Sequence, residues 1–120
     1  MYVDDATRVR HMHDAARDAL GFAAGRQRAD LDADRMLYSA LVWNLTIIGE
    51  AAAQLTTETR AALAGVPWAQ IVAMRNRLVH GYYLIDPDIV WDTVTTHLPV
   101  LIVALEQWLT SAPGENQAPG

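Results

Sequence analysis

The segment DRMLYSALVWNLTIIGEAAAQLT, residues 34–56, decides the fold because it has the periodicity of one long helix that is apolar on most of its sides. Its apolar residues recur at alternating steps of four and three, which is the spacing of one helix face. At 1.5 Å per residue, it predicts a helix of about 35 Å. We call this apolar face the seam of the helix. It consists of Leu37, Leu41, Asn44, Ile48, Ala51 and Leu55, and the neighbouring apolar residues Val42, Leu45, Ile47 and Ala52 make it wider. A helix this apolar is central in a bundle or buried in a dimer.

Three residues depart from the apolar pattern of this segment. Gly49 costs about 1 kcal/mol of helix propensity relative to alanine, and a close helix crossing would explain it. Asn44 is expected to be a buried amide with a hydrogen-bond partner, and Glu50 an exposed or paired acid. The alternative for both residues is that they support a functional site formed elsewhere in the chain.

Other helices are predicted on both sides of this segment. They cover residues 3–25, 58–64, 67–80 and 86–109, and a polar connector occupies residues 26–34. Thr57 is expected to cap the short helix, and Asp86 with Pro87 to start the last one. Pro99 lies inside the last helix and should remove one of its hydrogen bonds and kink it.

The apolar positions of the last two helices are predicted to face the core. They are Ile71, Val72, Met74, Leu78 and Val79 in the first of the two, and Ile89, Val90, Val94, Leu98, Leu101, Ile102, Leu105 and Leu109 in the second. No strand signal of alternating residues between hairpin turns accompanies them. The sequence therefore predicts an all-α, up-and-down helical bundle of four long helices plus a short one. The apolar excess of residues 34–56 further predicts a homodimer.

Composition limits the possible functions. The 120 residues predict one domain over 1–110 with a flexible tail over 111–120. The chain has no cysteine, which excludes disulfides and thiolate metal sites. No apolar run reaches the roughly 18 residues of a membrane span, and the acidic N-terminus does not resemble a signal peptide. We therefore expect a cytoplasmic protein. The net charge of −5 argues against broad, non-specific nucleic-acid binding.

The densest polar cluster is MRNRLVHGYY, residues 74–83. Arginine has a fixed fork of donors that fits phosphate, and histidine can exchange a proton near neutral pH. Together they indicate chemistry on a phosphodiester. Arg75 and His80 are five residues apart, which on a helix separates them by about 140°. Either His80 lies at a helix end terminated by Gly81, or the two residues face a groove completed by another subunit.

The remaining histidines and acids do not indicate a metal site. His11 and His13 are two residues apart, a poor spacing for one metal, and are expected on a solvated helix face. His97 is expected to be a surface histidine. The acids at positions 30, 32 and 34 lack the glycine and the bidentate glutamate of a calcium loop, so capping the next helix is their expected role. No cofactor or metal is implied.

The pattern Arg75-xxxx-His80-x-Tyr82 resembles the R-x4-H-x-Y motif of the HEPN superfamily, and specifically of its HepT toxins. Further stretches resemble the same family over roughly residues 3–109. They are Asn44-Leu45-Thr46-Ile47-Ile48-Gly49-Glu50-Ala51, Val66-Pro67-Trp68, Ile89-Val90-Trp91 and Leu98-Pro99. The resemblance implies a HEPN bundle that dimerises, with both copies of the motif lining one cleft.

The resemblance also implies a function. The protein would be the toxin of a toxin–antitoxin pair and a metal-independent endoribonuclease, in which the RNA 2′-OH attacks the adjacent phosphate. Arg75 would hold the phosphate, His80 would transfer the proton, and Asn76 would support either. A small nucleotidyltransferase antitoxin of the MNT type would transfer AMP to Tyr82. The alternative is a non-catalytic dimeric module that binds nucleotide or protein and scaffolds a nucleotidyltransferase.

Overall fold

A computed structural model describes residues 4–81 and 85–111, and all regular structure in these residues is helical. The elements are α1 Asp5–Ala23, α2 Asp30–Ala33, α3 Arg35–Gln54, α4 Thr57–Ala62, α5 Trp68–Gly81, α6 Pro87–Asp92, a π-helical turn Thr93–His97, and α7 Leu98–Ser111. The all-α prediction is confirmed. The predictions for Tyr82 and for the tail beyond Ser111 lie outside the described residues.

Helix α3 is the centre of the bundle, as its sequence predicts. It packs against α1 on one side and α5 on another, and α7 packs against α1. Most of the predicted seam is buried, with Leu41 fully inaccessible to solvent. Asn44 is buried with it, and its amide nitrogen donates to the Ala40 carbonyl at 3.1 Å. The expected satisfied amide is therefore confirmed.

Side chains at the helix starts supply the caps that fix the element boundaries. The carboxylate of Asp34 accepts the Leu37 N–H at 3.1 Å, and Asp86 caps α6 by accepting the Asp88 N–H at 2.8 Å. Both caps were predicted. The cap of α4 is Thr56 rather than Thr57, so this helix begins one residue earlier than expected.

Asp5 joins the start of α1 to the start of α4. Its carboxylate accepts hydrogen bonds from the backbone and hydroxyl of Thr56 and, at 2.5 Å, from the hydroxyl of Thr59. Burial by itself would raise the pKa of Asp5, but these hydrogen bonds outweigh it and the pKa lies below its ordinary value. The ionised carboxylate therefore stabilises this junction.

The predicted connector over residues 26–34 contains an additional short helix, α2. Arg26 donates to Asp34 at 2.9 Å and Arg28 to Asp32 at 3.1 Å, so these ion pairs close the connector on itself. Arg28 also bonds Asp88 on α6. Over residues 4–81 and 85–111, the bundle thus has four long helical segments and two short helices instead of one. Four-residue helices leave too short a periodic signal to be recognised in the sequence.

Near Pro99, where a lost hydrogen bond and a kink were predicted, the structure has a π-helical turn over Thr93–His97, which ends two residues before the proline. Proline lacks the N–H that would bond the carbonyl of Thr95, and its ring crowds that carbonyl. Widening the preceding turn relieves this conflict. The hydroxyl groups of Thr93 and Thr95 donate to the carbonyls of Ile89 and Trp91 within the same region.

Two predicted core positions are exposed instead. Val79 is 45% exposed and Ile89 is 40% exposed. Both occupy the apolar stripe of their helices, but no other described element covers that part of the stripe. Met36 and Trp43 on α3 are more exposed still, at 83% and 64%. Periodicity identifies an apolar face without indicating how far along it a neighbouring helix extends.

Helix α3 and the continuous helix Pro87–Ser111 are each long and apolar enough to cross a membrane, judged by length and composition alone. Each reaches a mean hydropathy of 1.3, and 44% and 33% of the respective windows are buried inside the bundle. The core helices of a bundle pass the same test, so this is weak evidence for membrane insertion.

His13 connects α1 to α7 instead of lying on a solvated face, which corrects the prediction for it. Its Nε2 lies 2.7 Å from a carboxylate oxygen of Glu106, and Arg17 approaches the same carboxylate at 3.8 Å. His11 is exposed, as expected. The pair places a polar contact at the edge of the α1–α7 interface.

Candidate active site

Residues 74–81 of the polar cluster lie on α5. The helix starts after Pro67, whose carbonyl accepts the Ile71 N–H at 3.1 Å. It continues unbroken through Arg75 and His80 to Gly81, the last residue described before position 85. On an uninterrupted helix these two side chains project about 140° apart. Within one subunit they therefore belong to two adjoining sites.

Arg75 lies where α5 crosses α3. A Cβ placed on Gly49 would be 2.2 Å from the Cβ of Arg75 and 3.3 Å from its Cα, so the crossing leaves no space for any side chain at position 49. The close crossing expected from the unfavourable glycine in α3 is confirmed. The contact brings the residue after the glycine, Glu50, beside the guanidinium of Arg75.

Glu50 forms a forked ion pair with Arg75. One carboxylate oxygen of Glu50 accepts a hydrogen bond from Nε of Arg75 at 2.7 Å, and Nη2 of Arg75 lies 2.7 Å from the same oxygen. The side chains are 46% and 27% exposed, so the pair lies at the rim of the bundle and not in its core. Charge-assisted bonds of this kind hold a guanidinium in one orientation. The prediction that Glu50 is a paired acid is confirmed.

Asn76 holds the same guanidinium from another side. Its side-chain oxygen accepts from Nη1 of Arg75 at 2.9 Å. An arginine carries five N–H donors. Nε and Nη1 of Arg75 donate to Glu50 and Asn76, and Nη2 is in ion-pair contact with Glu50. Nη1 and Nη2 each carry a second N–H, and these two donors suffice for one bidentate contact with a phosphate.

His80 lines a separate groove next to the contacts of Arg75 with Glu50 and Asn76. The groove has a volume of about 550 Å³ and is open to solvent. Its walls are Asn76, Arg77, His80, Gly81, Ile85, Asp86 and Ile89. His80 is exposed there, so its imidazole is accessible to a ligand. Asn76 belongs to both sites, because it bonds Arg75 and lines the groove.

The helix geometry explains which residues share the groove with His80. Residues three and four positions apart on a helix are neighbours on one face. Asn76 and Arg77 precede His80 by four and three residues, and both are in the groove walls. Sequence reasoning selected Arg75 and did not select Arg77. The spacing of three residues was the signal that would have identified Arg77.

Asn44 is not part of this arrangement, since its hydrogen bond stays within α3. Glu50, the other residue whose function was left open, is directly involved. Tyr82 is outside the described residues. Among the residues that the structure describes, no group of three or more histidines, aspartates or glutamates is arranged to hold a metal ion. His97 is on the surface, 3.2 Å from Asp92, as predicted.

Comparison with known proteins identifies similar chains. A family model described as Ribonuclease HepT-like matches residues 12–108. A "Putative RNase" of Caldanaerobacter subterraneus subsp. tengcongensis is 39% identical over 72 residues, which are 60% of this chain and 64% of that protein. The chain thus spans slightly less than two thirds of that relative. A search of the solved structures finds no significant match.

Two archaeal proteins are also similar. A "Putative RNase" of Methanocaldococcus jannaschii is 30% identical over 84 residues, covering 70% of this chain and 69% of that protein. A "Probable ribonuclease HepT" of Thermococcus cleftensis is 31% identical over 72 residues, covering 60% of this chain and 66% of that protein. Since the family match covers most of its length, the chain belongs to the HepT-like ribonuclease family.

Proposed function

We propose that the protein is a metal-independent endoribonuclease that acts as the toxin of a toxin–antitoxin pair. The observation that carries this proposal is that α5 presents both an exposed His80 and an arginine, Arg75, whose guanidinium is held by Glu50 of α3 and by Asn76. Membership of a ribonuclease family supports the same activity. A proton-transfer group and an oriented phosphate-binding group are the two requirements of RNA transesterification.

In the proposed reaction, the ribose 2′-oxygen attacks the adjacent phosphorus and the bond from phosphorus to the 5′-oxygen breaks. The 2′-oxygen loses its proton and the leaving 5′-oxygen gains one, and an imidazole such as that of His80 can perform either transfer. Arg75 stabilises the negative charge that develops on the phosphate oxygens. The products are a 2′,3′-cyclic phosphate and a 5′-hydroxyl. DNA, which lacks the 2′-hydroxyl, is inert to this reaction.

The proposal includes a homodimer with both copies of the motif facing one cleft. The 140° between Arg75 and His80 supports this, because one subunit cannot direct both side chains at one phosphate. Exposed apolar side chains on α3 and α5 support it as well, among them Trp43 and Val79. Apolar surface of this kind is characteristic of subunit interfaces. Two copies also bring two imidazoles to one cleft, enough for an acid and a base.

The proposed regulation is transfer of AMP to Tyr82 by a nucleotidyltransferase antitoxin of the MNT type, in the cytoplasm. Tyr82 follows His80 by two residues in the sequence. A bulky phosphate ester two residues from His80 in the sequence would block the proposed cleft. Its negative charge would also compete with RNA for the arginines of the site. Modification would therefore inactivate the enzyme.

The test compares an RNA oligonucleotide with DNA of the same sequence, both incubated in EDTA with antitoxin-free protein. Intact mass first establishes that Tyr82 carries no AMP. We expect cleavage of the RNA alone, with 2′,3′-cyclic phosphate ends. Cleavage of both substrates, or 3′-hydroxyl ends, would exclude the proposed chemistry.

A non-catalytic dimeric module that scaffolds a nucleotidyltransferase is the second candidate. The net charge of −5 favours it, because a nuclease with a broad RNA footprint usually presents a basic surface. Binding of nucleotide or of the nucleotidyltransferase without any RNA cleavage, by protein of verified mass, would support this candidate over the first.

A further inference from the structure

We infer that Arg77 is a substrate-binding residue, which holds an RNA phosphate in the groove of His80 beside the phosphate that is cleaved. This inference rests on the proposed function and adds a residue to it. Arg77 lines the groove together with Asn76 and His80. Its position three residues before His80 directs both side chains to one face of α5. Arg75 projects from another part of the helix, toward Glu50.

Arg77 differs from most other arginines of the chain in having no partner among the described residues. Arginines with an acid, carbonyl or aromatic partner are Arg8, Arg17, Arg26, Arg28, Arg60 and Arg75. Arg10 also has an interaction. For Arg35 and Arg77, the part of the chain that the structure describes provides none. In an acidic protein, a guanidinium left unpaired in a groove is available for an anion.

The acid in the groove wall makes this cation necessary for binding phosphate. Asp86 lines the groove, and its carboxylate repels an anion. Arg77 is charged at every physiological pH, so it supplies the permanent positive charge of the groove.

The two arginines are suited to different tasks. Arg75 has two donors left after its bonds with Glu50 and Asn76, and these bonds fix its orientation. A fixed guanidinium suits the phosphate that reacts, where geometry decides the rate. Arg77 has an exposed side chain, and none of its five donors is used by the described residues. It suits a neighbouring phosphate, for which it provides affinity and position along the strand.

The experiment measures RNA binding with a matched charge control. The probe is a fluorescent single-stranded RNA whose 2′-hydroxyls are all methylated, so that it cannot be cleaved. Its dissociation constant is measured by anisotropy at several salt concentrations for the native protein, Arg77→Gln and Arg35→Gln. Both variants remove one exposed, unpaired guanidinium, but Arg35 is on α3 and outside the His80 groove. Melting temperatures verify that both variants fold.

We expect Arg77→Gln to weaken binding about tenfold and to reduce the slope of log K against log salt by about 0.7, the value for one phosphate of a single strand. Arg35→Gln should stay within about twofold of the native protein. Arg77→Lys, which keeps the charge but not the fork, should fall between native protein and Arg77→Gln. Equal effects of Arg77→Gln and Arg35→Gln, or no binding by the native protein, would overturn the inference.

The result separates this inference from the proposed function. If binding depends on Arg77 but the protein cleaves no RNA, the proposed binding site would be supported and the proposed ribonuclease activity would be contradicted. If Arg77→Gln cleaves ordinary RNA with the native rate and the native KM, the ribonuclease activity would be supported and the role of Arg77 in binding RNA would be contradicted.

Discussion

Gly49 and Arg75 meet where α3 crosses α5, and a Cβ on Gly49 would lie 2.2 Å from the Cβ of Arg75. We predict that Gly49→Ala lowers the free energy of unfolding. Overpacking of this kind typically costs about 1–3 kcal/mol, whereas alanine gains about 1 kcal/mol of helix propensity over glycine. Since the contact involves atoms at the base of Arg75, the helices must separate, so we expect an overpacking cost of about 2–3 kcal/mol and a net loss of about 1–2 kcal/mol in urea unfolding.

Gly21→Ala is the matched control for this change. Gly21 is exposed on α1, and a Cβ there would meet nothing within 4 Å. The substitution should therefore stabilise the protein by about 0.5–1 kcal/mol through helix propensity alone. If Gly49→Ala were also stabilising, the close crossing of α3 and α5 would be wrong.

Glu50 should position Arg75 for catalysis while contributing little to stability. We predict that Glu50→Ala lowers kcat/KM for RNA about tenfold, equivalent to about 1.4 kcal/mol of transition-state stabilisation. Glu50→Gln retains an acceptor oxygen for Arg75 and should lose less. Because the ion pair is partly exposed, the free energy of unfolding should change by no more than about 1 kcal/mol. RNA cleavage kinetics and urea unfolding of the same samples provide both values.

The control for Glu50 is Glu106→Gln, which removes a partly exposed carboxylate that pairs with His13 on another face of the bundle. It should leave kcat/KM unchanged. Faster cleavage by Glu50→Ala would contradict the positioning role, since it would mean that Glu50 competes with the phosphate for Arg75.

Asp5 should make the stability of the protein depend on pH in the acid range. Its pKa in the folded protein is lowered, by hydrogen bonds from Thr56 and Thr59 that outweigh the effect of burial. The unfolded state then binds a proton more readily than the folded state does. The stabilisation is complete above the unfolded value of about 3.9, and it is lost as pH falls through the lower folded value.

We predict that Asp5→Asn reduces the free energy of unfolding by about 1–3 kcal/mol at pH 7, the usual range for a hydrogen-bonded charge. The difference from the native protein should shrink below about pH 4. Asp18→Asn, at an exposed position of the same helix, is the control and should change little. A deficit of Asp5→Asn that stays constant down to pH 2 would contradict the account.

The central helix and most caps could be predicted because their signals are local. The seam of α3, the N-cap Asp34 and the start Asp86-Pro87 each depend on residues within a few positions. The close crossing at Gly49 was also predicted, because a glycine inside a helix lowers helix stability unless the missing side chain makes room for a neighbour. The residue that lies against Gly49 could not be predicted, because Arg75 is distant from it in the sequence.

The features that could not be predicted depend on tertiary contacts. The ion pair of Glu50 with Arg75 joins residues 25 positions apart and requires the crossing of two helices. Val79 and Ile89 continue apolar stripes, but whether they are covered depends on where the neighbouring helices end. The prediction that His13 is solvated was wrong because its partner Glu106 is on the other end of the chain. Hydrophobic periodicity identifies the apolar face of a helix but not the element that packs against it.

Cleavage of RNA in EDTA by native protein, His80→Ala and His97→Ala, all purified identically, tests the central claim most directly. His97 is an exposed histidine beside Asp92 and outside the groove, so its removal controls for the loss of an imidazole. We predict cleavage by native protein and by His97→Ala, and none by His80→Ala. Equal cleavage by all three proteins would contradict the account, because His80 would then have no part in the reaction.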